Sequence, residues 1–305
     1  MNIKQILKKT SIYDKYLLIK YKKNEGLSYD RKEKIINKMY KKVFNEDINW
    51  SNPKTYNEKM NVSKLYGDNI MKTKLTDKYE VRKWIREKIG DEYLIPIIGV
   101  YNSFEEIDFN KLPNKFVIKM NNDSGSVFIC QDKNKINIKK LRKKFNFFIK
   151  RNYAYASFEM HYKDIEPKII IEKYMGNSIN DYKFQCFDGK VYYCRVDFDR
   201  FGNHMRNFYD LNWNLQLFNK GDFNNNVNKI DKPKNFDKMV EIVQKLSQGF
   251  DQVRVDLYDI NGEIYFGEMT FTNGAGLEKI NPKEWDYKIG ELWKYDIKLR
   301  EIKNK

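Results

Sequence analysis

The chain has 305 residues, of which 41% are hydrophobic and 15% aromatic, enough for a sizeable core in two or three lobes and too apolar for disorder despite 33% charged residues. No apolar run approaches the ~20 residues of a membrane span, and the N-terminus lacks the apolar core and cleavage site of a signal peptide, so the expected location is cytoplasmic. Lys and Arg outnumber Asp and Glu by 58 to 42, but the lysines are spread along the whole chain without a zinc-finger, RNA-binding-sheet or heptad pattern. A specific nucleic-acid partner is therefore not expected, whereas attraction to an anionic membrane surface or an acidic glycan is allowed. Cys130, Cys186 and Cys194 are odd in number and lack metal-ligand spacing, as expected of buried free thiols in a reducing compartment.

The first 50 or so residues read as basic amphipathic helices, with Tyr16, Leu17 and Ile19, then Ile35, Ile36, Met39, Tyr40 and Phe44 at near-helical spacing. Such a face can lie on a membrane or pack on its own protein. A new helix is expected after Pro53, with Thr55 as N-cap and Glu58 completing a capping box. Thr76 or Asp77 can cap the next one, whose Val81, Trp84 and Ile85 form an inward face.

From Leu94 the period changes to that of strands. Phe116 to Lys119 reads as a short buried strand carrying a lysine, Val127 to Cys130 as its partner, and the tip between them holds Asn121, Asn122, Asp123, Ser124, Gly125 and Ser126. Buried lysine charge needs a partner. Backbone N–H groups and hydroxyls of such a tip can cradle phosphate oxygens, although a plain turn with a snorkelling lysine also fits. Residues 135 to 165 return to helix, Lys168 to Met175 read as a strand ending in a charged step, and Asp181 to Val196 form a hairpin about Asp188-Gly189. Arg200, His204 and Arg206 make a basic cluster beyond it. Phe236 to Leu246 is expected to be helical, and a closing helix is expected from Trp285 to about Ile302.

The hairpin from Val253 to Gly276 is the most informative stretch. Val253, Val255 and Leu257 alternate with Arg254 and Asp256, a Asp259-Ile-Asn-Gly262 turn follows, and Ile264, Phe266 and Met269 resume the apolar series beside Glu268 and Thr270. Two carboxylates on paired strands beside an arginine suit a divalent cation that holds ATP phosphates. Cross-strand ion pairs on a solvated face are the alternative.

Taken in order, NPKTYNEKM, KLTDKYEVR, NNDSGSV, DYKFQCFDGK, RNFYDLNWN and VRVDLYDINGEIYFGEMTFTNGAG resemble the TupA-like group of the ATP-grasp superfamily, associated with teichuronopeptide and surface polysaccharide (capsule) loci. The resemblance runs from roughly residue 50 to residue 285. The order of helices followed by two sets of antiparallel hairpins makes the chain α+β, and the resemblance implies that two lobes with antiparallel sheets clasp ATP; residues 1–76 read as helices where familiar ATP-grasp ligases carry a Rossmann-like lobe. The expected divisions are 1–76 (helical), 77–176 (nucleotide lid) and 177–305 (metal and catalysis).

The resemblance also implies roles. Lys78 and Lys119 would touch the nucleotide phosphates, with Ser124, Gly125 and Ser126 closing over them. Glu172, Lys173 and Met175 would surround the adenine, and Asp181 lies near the position of a ribose-binding acid. Arg254 would stabilise the transferred phosphoryl group, Asp256 and Glu268 would hold Mg2+, and Arg200, His204 or Arg206 would supply a further phosphate contact. Many ATP-grasp enzymes carry asparagine two residues after the glutamate; Thr270 stands there instead, with Asn273 as the other candidate metal ligand. The implied cofactors are ATP and Mg2+. The implied reaction is ATP-dependent joining of a carboxylate to an amine through an acyl phosphate, with a carboxylate-bearing glycan or lipid-linked glycan as acceptor and an amino acid or amine as donor. A glycan kinase and a non-catalytic nucleotide- or glycan-binding module are the alternatives. The basic N-terminus would suit peripheral association with the inner face of the membrane.

Overall fold

A computed structural model describes residues 11–176, 180–198, 205–221, 230–296 and 300. The N-terminal part is helical, as its periodicity predicts: α1 (Ser11–Glu25), α2 (Tyr29–Phe44), α3 (Tyr56–Tyr66), α4 (Ile70–Thr76) and α5 (Val81–Lys88). Ser28 caps α2 by accepting from the Arg31 amide, and Asn45 ends it in the left-handed conformation at φ 61°. The capping box expected at Thr55 and Glu58 is formed in both directions. Ile36 and Tyr40 of α2 meet Val62, Leu65 and Tyr66 of α3, together with Tyr155, Phe158 and Met160 from the middle of the chain.

Then come β1 (Ile97–Tyr101), β2 (Phe116–Met120), β3 (Phe128–Cys130), α6 (Ile138–Lys150), the short α7 (Ala154–Ser157) and β4 (Ile169–Lys173). The four strands pair antiparallel in the order β1-β4-β2-β3. Alternation along β2 and β4 sends Phe116, Ile118, Met120, Ile169 and Ile171 into one core with Leu141, Phe145 and Phe148 of α6.

The remainder is β5 (Asn180–Phe187), β6 (Lys190–Phe198), β7 (Met205–Tyr209), β8 (Asn219–Lys220), α8 (Phe236–Ser247), β9 (Gln252–Ile260), β10 (Glu263–Thr270), β11 (Ile280–Asn281) and α9 (Glu284–Leu292). Five of these strands form an antiparallel sheet ordered β10-β9-β5-β6-β7, and β8 pairs with β11. One face of the larger sheet packs on α8, and Val81 and Ile85 of α5 join that core. The molecule is thus α+β, with two antiparallel sheets preceded by helices. Cys130, Cys186 and Cys194 are free and buried, as expected. No described helix is long and apolar enough to cross a membrane.

The closing helix is shorter than its pattern suggests. It stops at Leu292, because the Lys59 ammonium of α3 binds the carbonyls of Gly290 and Trp293 at 2.8 and 2.7 Å and the Trp293 side chain turns into a core with Tyr56, Met60 and Phe187. Helices α9 and α3 approach so closely that a Cβ on Gly290 would sit 2.3 Å from the Lys54 carbonyl oxygen and 2.8 Å from the Tyr56 nitrogen. Gly290→Ala is therefore expected to cost about 1–3 kcal/mol, because backbone on both sides must move. An unchanged midpoint in chemical denaturation would show that this contact is not tight.

Candidate active site

The larger sheet has one apolar and one charged face because its strands alternate in phase. Tyr182, Phe184 and Cys186 of β5, Cys194 and Val196 of β6, and Val253, Val255 and Leu257 of β9 enter the core under α8. Their neighbours Asp181, Lys183, Arg195, Asp197, Arg254 and Asp256 consequently share the opposite face. On β10 the alternation is interrupted. Phe266 and Met269 both enter the core although three residues apart, and the register accordingly shifts between Phe266 and Glu268, a β-bulge at Gly267. The extra residue turns Glu268 to the charged face and sets it opposite Asp256, with Thr270 opposite Arg254.

The guanidinium of Arg254 is the centre of that face. It donates to both carboxylate oxygens of Asp256 at 2.6 and 2.7 Å, to Glu268 Oε1 at 2.6 Å, to Thr270 Oγ1 at 2.9 Å and to Asn273 Oδ1 at 2.9 Å. The four residues expected to hold a metal thus converge on one cation. Their donors are carboxylate, hydroxyl and amide oxygens, the hard ligands a divalent magnesium ion takes, so the residues present fit that ion. Burial by itself would raise the Glu268 carboxyl, but Arg254, Lys78 and Lys183 outweigh it and bring the pKa down to about 2.

Several residues of this face carry no role in the sequence reading. Lys183 lies between Asp181, at 2.6 Å, and Asp256, to which it also donates. Asp197 accepts from Arg195 at 2.9 Å and from Arg206 at 2.8 Å, and these arginines overcome its burial to hold its carboxyl well below the usual range. Lys220 and Glu278 complete the group at the β7 side, 3.7 Å apart. The signal for Lys183, Arg195 and Asp197 was the same alternation with apolar residues that singled out Arg254 and Asp256. Asp181, expected near the ribose, is 1% exposed and engaged by Lys183. Arg206 is buried against Asp197, and Arg200 and His204 lie outside the described residues.

The smaller sheet supplies the residues expected at the nucleotide. Lys119 and Glu172 point away from its core and pair at 2.6 Å. Lys78 donates to the carbonyl of Asp123 in the hairpin tip. Burial lowers the Lys78 ammonium while Glu268 and Asp123 oppose that shift and Lys119 adds to it, so Lys78 feels charge from the smaller sheet and from the Arg254 cluster. Ser124 and Gly125 are exposed, and Gly125 has φ 89° with open space around it. Ser126 is committed inside the hairpin: its hydroxyl donates to Asp123 and accepts from the Met120 amide at 3.0 Å. Lys173 is exposed and Met175 half-buried at the end of β4.

A model of the TupA-like ATP-grasp family matches residues 58–294. The chain belongs to this family. Among solved structures it is similar to D-alanine–D-alanine ligase from Bacillus anthracis complexed with ATP, at 17% identity over 67% of this chain and 56% of that one, with a TM-score of 0.39. It is also similar to phosphoribosylamine–glycine ligase from Thermotoga maritima, at 13% identity over 67% and 49%, with a TM-score of 0.40. The TupA-like chain therefore spans about half the length of these structures. No curated protein matches it.

In this TupA-like protein the N-terminal helices take part in the site. Helix α3 holds the loop that follows β10: Asn273 Nδ2 donates to the Tyr56 hydroxyl at 2.8 Å, Asn61 Nδ2 to the Gly276 carbonyl at 2.7 Å, and Lys64 Nζ to the Ala275 carbonyl at 2.8 Å. Lys64 is fully buried, which brings its pKa down to about 7 against the opposing charge of Glu159. Within this loop Ala275, between the left-handed Gly274 and Gly276, itself holds a φ of 53°, a conformation costly for a residue with a Cβ, and its carbonyl is the one Lys64 binds.

The depressed pKa of Glu268 gives a signed prediction. Its contribution to stability is complete above the ordinary value of 4.5 and is lost as pH falls toward about 2. The side chain is 36% exposed, so water discounts the effect. Glu268→Gln should lower stability by about 1–2 kcal/mol at neutral pH, with the difference from wild type closing between about pH 5 and pH 2. Denaturation curves across that range test it, and parallel curves would contradict the pairing with Arg254.

Proposed function

We propose that the protein is an ATP-dependent carboxylate–amine ligase that works through an acyl phosphate in surface polysaccharide assembly, joining an amino acid or amine to a carboxylate-bearing glycan. The observation that carries this reading is the convergence of Asp256, Glu268, Thr270 and Asn273 on the Arg254 guanidinium, with the charge of Lys78 felt at Glu268. In phosphoryl transfer a protein chiefly positions groups and neutralises charge, so this set suffices without a protein nucleophile.

In the proposed reaction Lys78 and Lys119 bind the phosphates of ATP, and the Ser124–Gly125 tip covers them. Glu172, Lys173 and Met175 line the base. Magnesium held by Asp256 and Glu268, with Asn273 or Thr270 as a further oxygen donor, would neutralise phosphate charge. Arg254, released from part of its present hydrogen bonding, faces the oxygens of the transferred phosphoryl group. That group passes to a carboxylate oxygen, leaving ADP. The amine nitrogen then attacks the acyl carbon, phosphate departs and the nitrogen loses a proton. Closure of the smaller sheet over the charged face would keep water from the acyl phosphate.

Mg·ATP is expected to raise the melting temperature of the protein, and Lys119→Ala and Glu268→Gln are each expected to lower ATP turnover with the true acceptor by at least about a hundredfold. Wild-type turnover in both variants would sink the assignment. Mass spectrometry of the product decides the bond: a stable phosphorylated acceptor would make the protein a glycan kinase.

Location at the inner face of the membrane is supported by α1. Ile12, Tyr16 and Ile19 are 72%, 56% and 70% exposed at helical spacing among lysines, an apolar stripe on a basic helix that packs into no core among the described residues. Sedimentation with phosphatidylglycerol vesicles should capture the wild type and release the Ile12→Asp, Ile19→Asp double variant. Equal recovery of both proteins would rule out α1 as the contact.

A further inference from the structure

The tip of the β2–β3 hairpin is fastened from outside the hairpin, by side chains to which the proposed reaction gives no part. Asn121 ties its base. The Asn121 amide donates to Asp77 and to the Glu166 carbonyl, both at 2.9 Å, and its oxygen accepts from the Lys168 amide at 2.7 Å. Asp123, 2% exposed, holds the tip itself. One of its carboxylate oxygens accepts from the Ser126 hydroxyl and the other from Arg151 Nη2, while its main-chain carbonyl accepts from Lys78. Lys78, Ser126 and Arg151 therefore meet on one residue. Among the described residues, Arg151 is the only cation in ion-pair contact with the Asp123 carboxylate, and a carboxylate buried this deeply is tolerated only when its charge is met.

Arg151 stands at the C-cap of α6, and its guanidinium is committed inside the fold. The guanidinium carbon lies 4.5 Å from the ring centre of Phe148, 5.3 Å from that of Tyr153 and 5.6 Å from that of Phe147, and the side chain is 12% exposed. Phe147 and Phe148 belong to the core of the smaller sheet. Stacking on these rings fixes the plane of the fork, so that core sets the direction in which Nη2 meets Asp123. The part of the tip beyond Asp123 has no such support of its own. Ser124 and Gly125 are exposed, and a Cβ placed on Gly125 would meet no atom within 4 Å.

We propose that Arg151 is a positioning residue for phosphate binding: it holds Asp123 so that the amides of Ser124 and Gly125, together with the Lys78 ammonium, are already arranged for the phosphates of ATP. This rests on the ligase reading above, in which the tip covers those phosphates. Arg151 itself touches neither nucleotide nor acceptor. Its effect is preorganisation, since the conformational freedom of the tip is lost in folding rather than at binding.

Calorimetric titration can compare Mg·ATP with adenosine, which lacks the phosphates and so makes no use of the tip. In Arg151→Met the affinity for Mg·ATP is expected to fall about tenfold while adenosine binds as it does to wild type, and Arg151→Lys should recover part of the loss. Arg151→Met leaves a buried carboxylate unpaired, so a double variant, Arg151→Met with Asp123→Asn, separates positioning from folding. It should regain the melting temperature lost in the single variant and still bind Mg·ATP about tenfold more weakly than wild type. Hydrogen exchange of residues 121–126 in the absence of nucleotide is expected to be about tenfold faster in both. The positioning role is overturned if the two variants bind Mg·ATP as wild type does, if adenosine binding weakens as much as Mg·ATP binding, or if exchange in the tip is unchanged. Absence of Mg·ATP binding in wild type would remove the ligase reading, and exchange in the nucleotide-free proteins still decides whether Arg151 orders the tip.

Discussion

The structure depends on how a sheet can bury several carboxylates on one face. Asp181, Asp197 and Asp256 are each 2% exposed or less, and such groups are tolerated only when paired and hydrogen-bonded. Arg254 meets this need for Asp256 and Glu268 together, since its planar fork can satisfy two acceptors on one residue and still reach others. Lys183 performs a similar task between two strands, and Arg195 with Arg206 does so for Asp197. Ions in such a network exchange partners at modest cost when a new charge of either sign arrives. A polar surface built this way is already organised around charge before any ligand binds.

Much of this was legible in the sequence because strand alternation is a strong signal. Arg254 and Asp256 stood out against Val253, Val255 and Leu257, and the structure brings them to one face with Glu268, Thr270 and Asn273. The capping box at Thr55, the inward face of α5 and the hairpin with the Asp188-Gly189 turn were equally readable, since each depends on neighbours in sequence. What escaped depends on distance along the chain. Nothing local to Tyr56, Asn61 or Lys64 says that they support a loop more than two hundred residues away. The early end of the last helix has the same origin, because the lysine that binds its carbonyls belongs to α3.

The N-terminal helices consequently do more than precede the fold. Tyr56 and Met60 share a core with Phe187, Phe208 and Trp293, and α3 reaches the loop that carries Asn273. Residues more than two hundred positions before the loop that follows β10 are thereby mechanically joined to it. A ligand that shifts Asn273 would be felt in α3, and a disturbance of α3 would be felt at Arg254.

The bulge at Gly267 shows what kind of change this site can absorb over evolutionary time. The two residues between Phe266 and Met269 are one too many for plain alternation, and the bulge absorbs the extra one so that Glu268 still faces Asp256. Side chains around it can be exchanged while the face is kept. Removal of Gly267 would leave Phe266, Glu268 and Met269 in plain alternation on the faces they hold now, so the lineage can drift here in length as well as in composition, provided the bulge is lost with the residue.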